Sequence, residues 1–216
     1  MNTEKVISDL QKVRENAPLV HNITNYVVMN STANALLSLG ASPVMAHAVE
    51  EVEEMASIAS ALVLNIGTLS EKWIEAMFKA GKQAKEKGVP VILDPVGAGA
   101  TTLRTETAKK IIDDVQPDIV RGNASEILAL LKADAQTKGV DSSASSDDAL
   151  EIAKELASTK NCIVSISGKT DYITDGKSVI SIGNGDAMLS KVTGTGCAAT
   201  ALTGAFAGVN KNFVEA

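Results

Sequence analysis

Residues 61–96 read ALVLNIGTLSEKWIEAMFKAGKQAKEKGVPVILDPV, and this stretch decides the fold. Its two ends, ALVLNIG (61–67) and PVILDPV (90–96), are short and continuously apolar. Between them, over about 70–87, apolar residues recur at helical spacing, and Gly88 supplies a common helix-ending residue. Strands that are apolar on both faces and joined by a helix belong to a parallel sheet covered on both sides.

The same alternation extends in both directions. Toward the amino terminus, Val6, Ile7, Leu10 and Val13 predict a helix over 3–16 that stops before Pro18. A strand LVHNIT (19–24), a helix over 26–39 closed by Gly40, a strand SPVMA (42–46) and an acidic helix over about 50–60 follow. Toward the carboxyl end come a helix over 103–114, a strand DIVRGN (118–123), a helix over 124–132, a polar exposed loop over 134–146, a helix over 147–158 and a strand CIVSIS (162–167). DYITDGKSVISIG (171–183) then alternates around Asp175-Gly176, the signature of a β-hairpin. The expectation is one α/β domain over 1–216, a three-layer αβα sandwich whose mostly parallel sheet carries a small antiparallel edge hairpin. A new helical pattern begins after Gly208, so the domain is expected to lack further carboxyl-terminal helices.

Composition agrees and excludes other classes. Aromatic residues make up only 3%, against thirty alanines and sixteen glycines, which suits small side chains packed between helices and a sheet. The net charge of −6, with only three arginines, argues against a nucleic-acid footprint. No apolar run reaches the ~18–20 residues of a membrane span, and the amino terminus has no signal-peptide pattern. Cys162 and Cys197 lie in unrelated contexts, as in a reducing compartment, so a cytoplasmic location is expected.

In such sheets ligands gather at the carboxyl ends of strands. There the sequence places His21-Asn22-Ile23-Thr24-Asn25, Met45-Ala46-His47, Asn65-Ile66-Gly67-Thr68, Asp94-Pro95-Val96-Gly97, Arg121-Gly122-Asn123 with Glu126, and Ser167-Gly168-Lys169. The last such motif, Thr193-Gly194-Thr195-Gly196-Cys197, opens an alanine-rich helix. Two glycines before a helix amino terminus let backbone N–H groups approach an anion, most plausibly a phosphate; a tight turn needed only for packing reads the same way. A helix expected to start at Cys197 should lower that thiol's pKa and make it a proton acceptor or nucleophile. Cys162 reads as an inert core thiol. Asp94 and Glu126 could hold Mg²⁺, although Asn123-Ala-Ser-Glu126 also reads as a helix capping box. Arg121 needs an anionic partner, either a nucleotide phosphate or an internal acid. Met45 and the Gly67 turn offer an apolar, open patch for a heterocycle. His21 and His47 read as structural, and Glu50, Glu51, Glu53 and Glu54 as a solvated helix face.

Together PLVHNITNYVVMNSTANALLSLGASPVMAHA, LVLNIGTL, PVILDPVGAGAT, DIVRGNASEI and VTGTGCAATAL closely resemble the hydroxyethylthiazole kinases, a branch of the ribokinase-like superfamily. The resemblance covers essentially the whole chain. It implies transfer of the ATP γ-phosphoryl group to the hydroxyl of 4-methyl-5-(2-hydroxyethyl)thiazole in thiamine biosynthesis and salvage. By position it implies that Met45 and Gly194 bind the thiazole, with Asn25 and Gly67 lining the same pocket. Arg121 and Ser167 match ATP-binding positions, Gly196 belongs to the anion hole, and Asp94 and Glu126 match the acids that organise Mg²⁺ and phosphates. Cys197 stands where most ribokinase-like enzymes carry an aspartate base. A related dehydratase that repairs hydrated nicotinamide cofactors has that aspartate, so Cys197 favours the thiazole branch. The resemblance also implies a homotrimer with the thiazole pocket at a subunit boundary.

Overall fold

A computed structural model describes residues 3–131 and 145–216. The chain runs α1 (Thr3–Asn16), β1 (Leu19–Ile23), α2 (Met29–Leu39), β2 (Ser42–Val44), α3 (Val52–Ile58), β3 (Ala61–Asn65), α4 (Glu71–Lys87), β4 (Val91–Asp94) and α5 (Thr102–Asp114). It continues with β5 (Ile119–Asn123), α6 (Ala124–Leu131), α7 (Ser146–Lys160), β6 (Ile163–Ser167), β7 (Asp171–Thr174), β8 (Val179–Ile182), a 3₁₀ turn (Ala187–Lys191) and α8 (Thr195–Val209).

The eight strands form one sheet in the order β2-β1-β3-β4-β5-β6-β7-β8. The pairs from β2 to β6 are parallel, and β6-β7 and β7-β8 are antiparallel. This is the three-layer architecture expected, with the hairpin at one edge. The chain leaves β1 toward β2 and returns to β3 on the other side of β1. The strand order therefore switches between β1 and β3, which is where open α/β sheets form their ligand crevice.

Alternation along each strand feeds two cores. Leu62 and Leu64 of β3 face the layer of α3 to α7 with Trp73, Met77, Ile111, Ile127 and Leu156. Ala61 and Val63 face the opposite layer, where Val13, Leu36, Ala201 and Ala205 come from α1, α2 and α8. A Cβ on Gly204 would lie 2.9 Å from Val63 Cγ2, so glycine is what lets α8 lie this close to the sheet. Ser70 and Thr101 cap α4 and α5, accepting from the backbone N–H groups of Trp73 and Arg104.

Four local expectations change. α2 begins at Met29 and not at Tyr26, because the Asn25 side-chain carbonyl accepts from Val27 N at 3.1 Å and holds 25–28 in a turn. α8 begins at Thr195 and not at Cys197, since Gly194 supplies the left-handed conformation that enters it, with φ of 85°. The helical pattern after Gly208 does not open a new helix: α8 ends at Val209, and Asn210 turns away to donate to Asp9 Oδ2 at 2.7 Å. Of the polar segment over 134–146, residues 134–144 lie outside the described residues, while Ser145 forms a capping box with Asp148 at the start of α7.

Candidate active site

The switch point brings the ends of β1, β3 and β4 against the start of α8. Asn25, just past β1, donates through Nδ2 to Asn65 Oδ1 at 2.9 Å, and the same nitrogen lies 3.5 Å from Cys197 Sγ. Asn65, at the end of β3, donates to Asp94 Oδ2 at 2.8 Å and accepts from Gly67 N at 3.0 Å. Thr200, one turn into α8, donates to the same Asp94 oxygen at 2.9 Å. A continuous run of buried amides and hydroxyl thus links Cys197 to Asp94. A Cβ on Gly67 would fall 2.6 Å from Asn25 Nδ2, so only glycine leaves the asparagine its place.

Across the loop after β4 sits the second acid. Glu126 accepts from Gly97 N through Oε1 and from Asn123 N through Oε2, both at 2.8 Å, while Asn123 Oδ1 accepts from Glu126 N at 3.0 Å. The capping box is therefore real, and its acid also ties the β4 loop to α6. Burial pushes Asp94 up to about 6, against the lowering effect of the Arg121 charge and its two donors. Glu126 is pushed up to about 7, first by burial and second by repulsion from Asp94. These two carboxyls carry a deficit of positive charge.

Arg121, at the end of β5, donates to Gly196 O at 3.1 Å and lies 3.4 Å from Thr200 Oγ1. It forms no ion pair within 4.0 Å among the described residues, although its charge acts on Asp94 and Glu126 from farther away. Ser167, at the end of β6, points its hydroxyl to Gly122 O at 3.4 Å. Met45 follows β2, half-buried and beyond the hydrogen-bonded run. Gly194 abuts the α2 entry: a Cβ there would be 2.6 Å from Val28 Cγ1, whereas one on Gly196 would meet nothing within 4 Å.

The thiol is the clearest correction. Cys197 is pushed up, not down, because burial and the nearby Asp94 charge disfavour the thiolate, outweighing its amide contacts. It is a neutral thiol at neutral pH, its sulfur accepting from Asn25. Cys162 is buried and pushed up to about 11, as an inert core thiol should be. His21 Nε2 donates to Ala46 O at 2.8 Å, and burial keeps it neutral by lowering its pKa; His47 packs on Trp73 at 4.9 Å. Both are structural. Glu50, Glu51, Glu53 and Glu54 are exposed.

Thr200, Asn65 and Arg104, to which sequence reading gave no role, hydrogen-bond within this cluster. Thr200 is a buried hydroxyl in an alanine-rich helix, four residues after Gly196, which was the available signal. Asn65 ends an otherwise apolar strand. Arg104 had none, being indistinguishable from a surface charge. A cavity of about 390 Å³ lined by Lys85, Pro90, Asp118 and Phe213 lies at the amino-terminal ends of β4 and β5, the opposite side of the sheet from this chemistry.

A family model, the hydroxyethylthiazole kinase family, matches residues 10–216. The chain belongs to the hydroxyethylthiazole kinase family. A hydroxyethylthiazole kinase of Leptospira biflexa is 57% identical over 209 residues, which are 97% of this chain and 78% of that protein. The solved hydroxyethylthiazole kinase of Pyrococcus horikoshii superposes with a TM-score of 0.90 at 46% identity, over 99% of this chain and 80% of that one. Adenosine kinase from Schistosoma mansoni, at 14% identity, TM-score 0.56, and coverage of 92% and 70%, shares the fold alone. The fold of this hydroxyethylthiazole kinase family member is accordingly ribokinase-like.

Proposed function

We propose that this chain transfers the γ-phosphoryl group of ATP to the primary hydroxyl of 4-methyl-5-(2-hydroxyethyl)thiazole, a step of thiamine biosynthesis and salvage. The observation that carries the reading is the buried hydrogen-bonded run from Cys197 through Asn25 and Asn65 to Asp94 in a chain of this family. It joins an acceptor side to an acidic side at the strand-order switch. Met45, Asn25, Gly67 and Gly194 line the thiazole pocket; Arg121, Ser167 and Gly196 receive ATP; Cys197 faces the alcohol.

Phosphoryl transfer through a loose transition state asks little covalent chemistry of the protein, so positioning and charge dominate. A neutral Cys197 suits this: its sulfur accepts from Asn25 Nδ2, and its own S–H orients the alcohol without having to remove its proton early. Arg121, which makes no ion pair within 4.0 Å among the described residues, is available to phosphate oxygens. The exposed turn at Gly196 leaves its backbone open to an anion at the start of α8.

The donor set fits Mg²⁺, which takes one or two carboxylates and fills its remaining positions with water and phosphate. Asp94 and Glu126 would hold it. Burial is the first cause of their raised pKa values, and a cation would favour the ionised forms that burial disfavours. When bound, the ion supplies neutralisation of the transferring phosphates.

A homotrimer with the pocket at the subunit boundary is supported by Tyr26 and Val27, which are 66% and 69% exposed immediately beside buried Asn25. Sedimentation at three times the chain mass is the expected result. A cytoplasmic site of action agrees with two free cysteines; no helix among the described residues is long and apolar enough to cross a membrane.

The test is calorimetry with the thiazole alcohol followed by coupled detection of ADP. Alcohol-dependent, Mg²⁺-dependent ADP release is expected. Alcohol binding with no ADP release would overturn the kinase reading in favour of a binding protein.

A further inference from the structure

Arg104 is one of only three arginines, and it sits at the third position of α5. A cation in the first turn opposes the helix dipole, so α5 itself gains nothing from it. No carboxylate lies within 4.0 Å of its guanidinium among the described residues. Its two nitrogens go instead to main-chain carbonyls on different loops: Nη2 donates to Gly67 O at 2.7 Å and Nη1 to Val96 O at 2.9 Å.

Those carbonyls flank the two halves of the site. Gly67, after β3, packs against Asn25, whose amide touches Cys197. Val96 precedes Gly97, whose N–H is held by Glu126. Gly97 also makes the room: with φ of 73°, its missing Cβ would lie 2.4 Å from Arg104 Nη1. Arg104 contributes to the raised or lowered pKa of neither Asp94 nor Glu126, so what it provides is geometry.

We infer that Arg104 is a positioning residue for phosphoryl transfer: it clips the loop after β3 to the loop after β4 and so sets the spacing between the acceptor pocket and the acidic side. The inference rests on the functional reading of this site. A guanidinium does this because its planar fork reaches two acceptors at once; the single ammonium of lysine, on a shorter reach, keeps the charge and loses the span.

The experiment compares Arg104→Ala and Arg104→Lys with the parent chain. Loosened spacing misplaces the reacting groups, so kcat should fall about 10- to 100-fold while KM for ATP and for the alcohol stays within about threefold. ADP release without the alcohol should rise relative to alcohol-dependent turnover. Guanidinium ion, added far below its denaturing range, should restore part of the kcat of Arg104→Ala, and sodium chloride at equal ionic strength should not. A folded Arg104→Ala with parental kcat, or one whose loss ignores guanidinium, overturns the inference. If Arg104→Ala does not fold, Arg104→Lys decides: parental kcat overturns the inference, and the kcat-specific loss supports it. A parent chain without alcohol-dependent ADP release would instead sink the functional reading, so the two failures are distinguishable.

Discussion

Glu126→Gln, measured in chelator so that no divalent cation enters, isolates the electrostatics of the site. In the folded parent the Glu126 carboxyl is pushed from 4.5 to about 7 by burial and by Asp94. The native state therefore keeps a proton that the unfolded chain has lost, and stability falls as pH rises from about 4.5 to about 7. At about 1.4 kcal/mol per pKa unit this amounts to roughly 3 kcal/mol, of which about 2–3 kcal/mol is lost between pH 5 and pH 8. Glutamine carries no charge, so that slope disappears. It also has one carbonyl where Glu126 offers two oxygens to Gly97 N and Asn123 N, leaving an N–H facing its amide nitrogen at about 1–3 kcal/mol. The variant should be less stable than the parent at pH 5, with the gap closing or inverting by pH 8. His21 works in the opposite sense: its folded pKa is lowered, so its contribution rises with pH up to 6.5. That contribution is common to both proteins and cancels in the difference. Urea unfolding of both from pH 5 to pH 8, at a common m-value, gives the gap directly. A gap independent of pH, or one that widens with it, would refute the reasoning.

On the proposed place of Cys197 at the alcohol, Cys197→Asp puts a stronger proton acceptor at the same position and should preserve or raise turnover in the coupled ADP assay; complete loss with thiazole binding intact would mean a thiol-specific role. Thr200→Val keeps shape but removes one of two donors to Asp94, so the carboxyl should rise further above about 6. The acid limb of the kcat/KM profile should move to higher pH, and an unmoved limb counts against Asp94 as the titrating group. Gly194→Ala forces a left-handed residue against Val28 and should cost about 1–3 kcal/mol in thermal unfolding. Gly196→Ala meets nothing, so its melting midpoint should stay at the parent value while KM for ATP rises. An unchanged KM for ATP in Gly196→Ala would remove the glycine turn from the nucleotide site.

Most of the sheet was legible because its signal is dense and local. In 61–96, apolar strand, amphipathic helix and Gly88 each point to the same unit, and the observed β3, α4 and β4 lie within one or two residues of the reading. Element starts were less legible where a side chain competes with helix hydrogen bonding, as Asn25 does before α2. The candidate site divides in the same way. Asp94, Cys197 and the glycines announce themselves at strand ends, but Thr200 and Asn65 acquire meaning only when residues 106 and 29 positions from Asp94 meet at one of its oxygens. The thiol's pKa was misread for a physical reason. A helix amino terminus favours a thiolate, yet burial and a neighbouring carboxylate oppose it, and neither is visible until the strands are assembled.

The pattern of shifts explains how one site holds charge ready without a base poised to react. Neutral amides, Asn25 and Asn65, stand between the thiol and Asp94, so the acceptor side carries no formal charge of its own. The acidic side carries two carboxyls, each destabilised by burial, Glu126 on backbone N–H donors and Asp94 on the Asn65 amide and Thr200 hydroxyl. In the ligand-free protein that arrangement weakens the fold, by the roughly 3 kcal/mol worked out for Glu126. Positive charge arriving with the nucleotide offsets the same deficit, so part of the binding energy comes from relief of a strain the fold already carries. Preorganised donors that do not move during reaction are the form of electrostatic stabilisation that phosphoryl transfer rewards most. The arrangement therefore predicts its own asymmetry: saturating Mg²⁺ and ATP should raise the unfolding temperature more at pH 8 than at pH 6. Equal gains at both pH values would mean that the buried carboxyls and the nucleotide site are energetically separate.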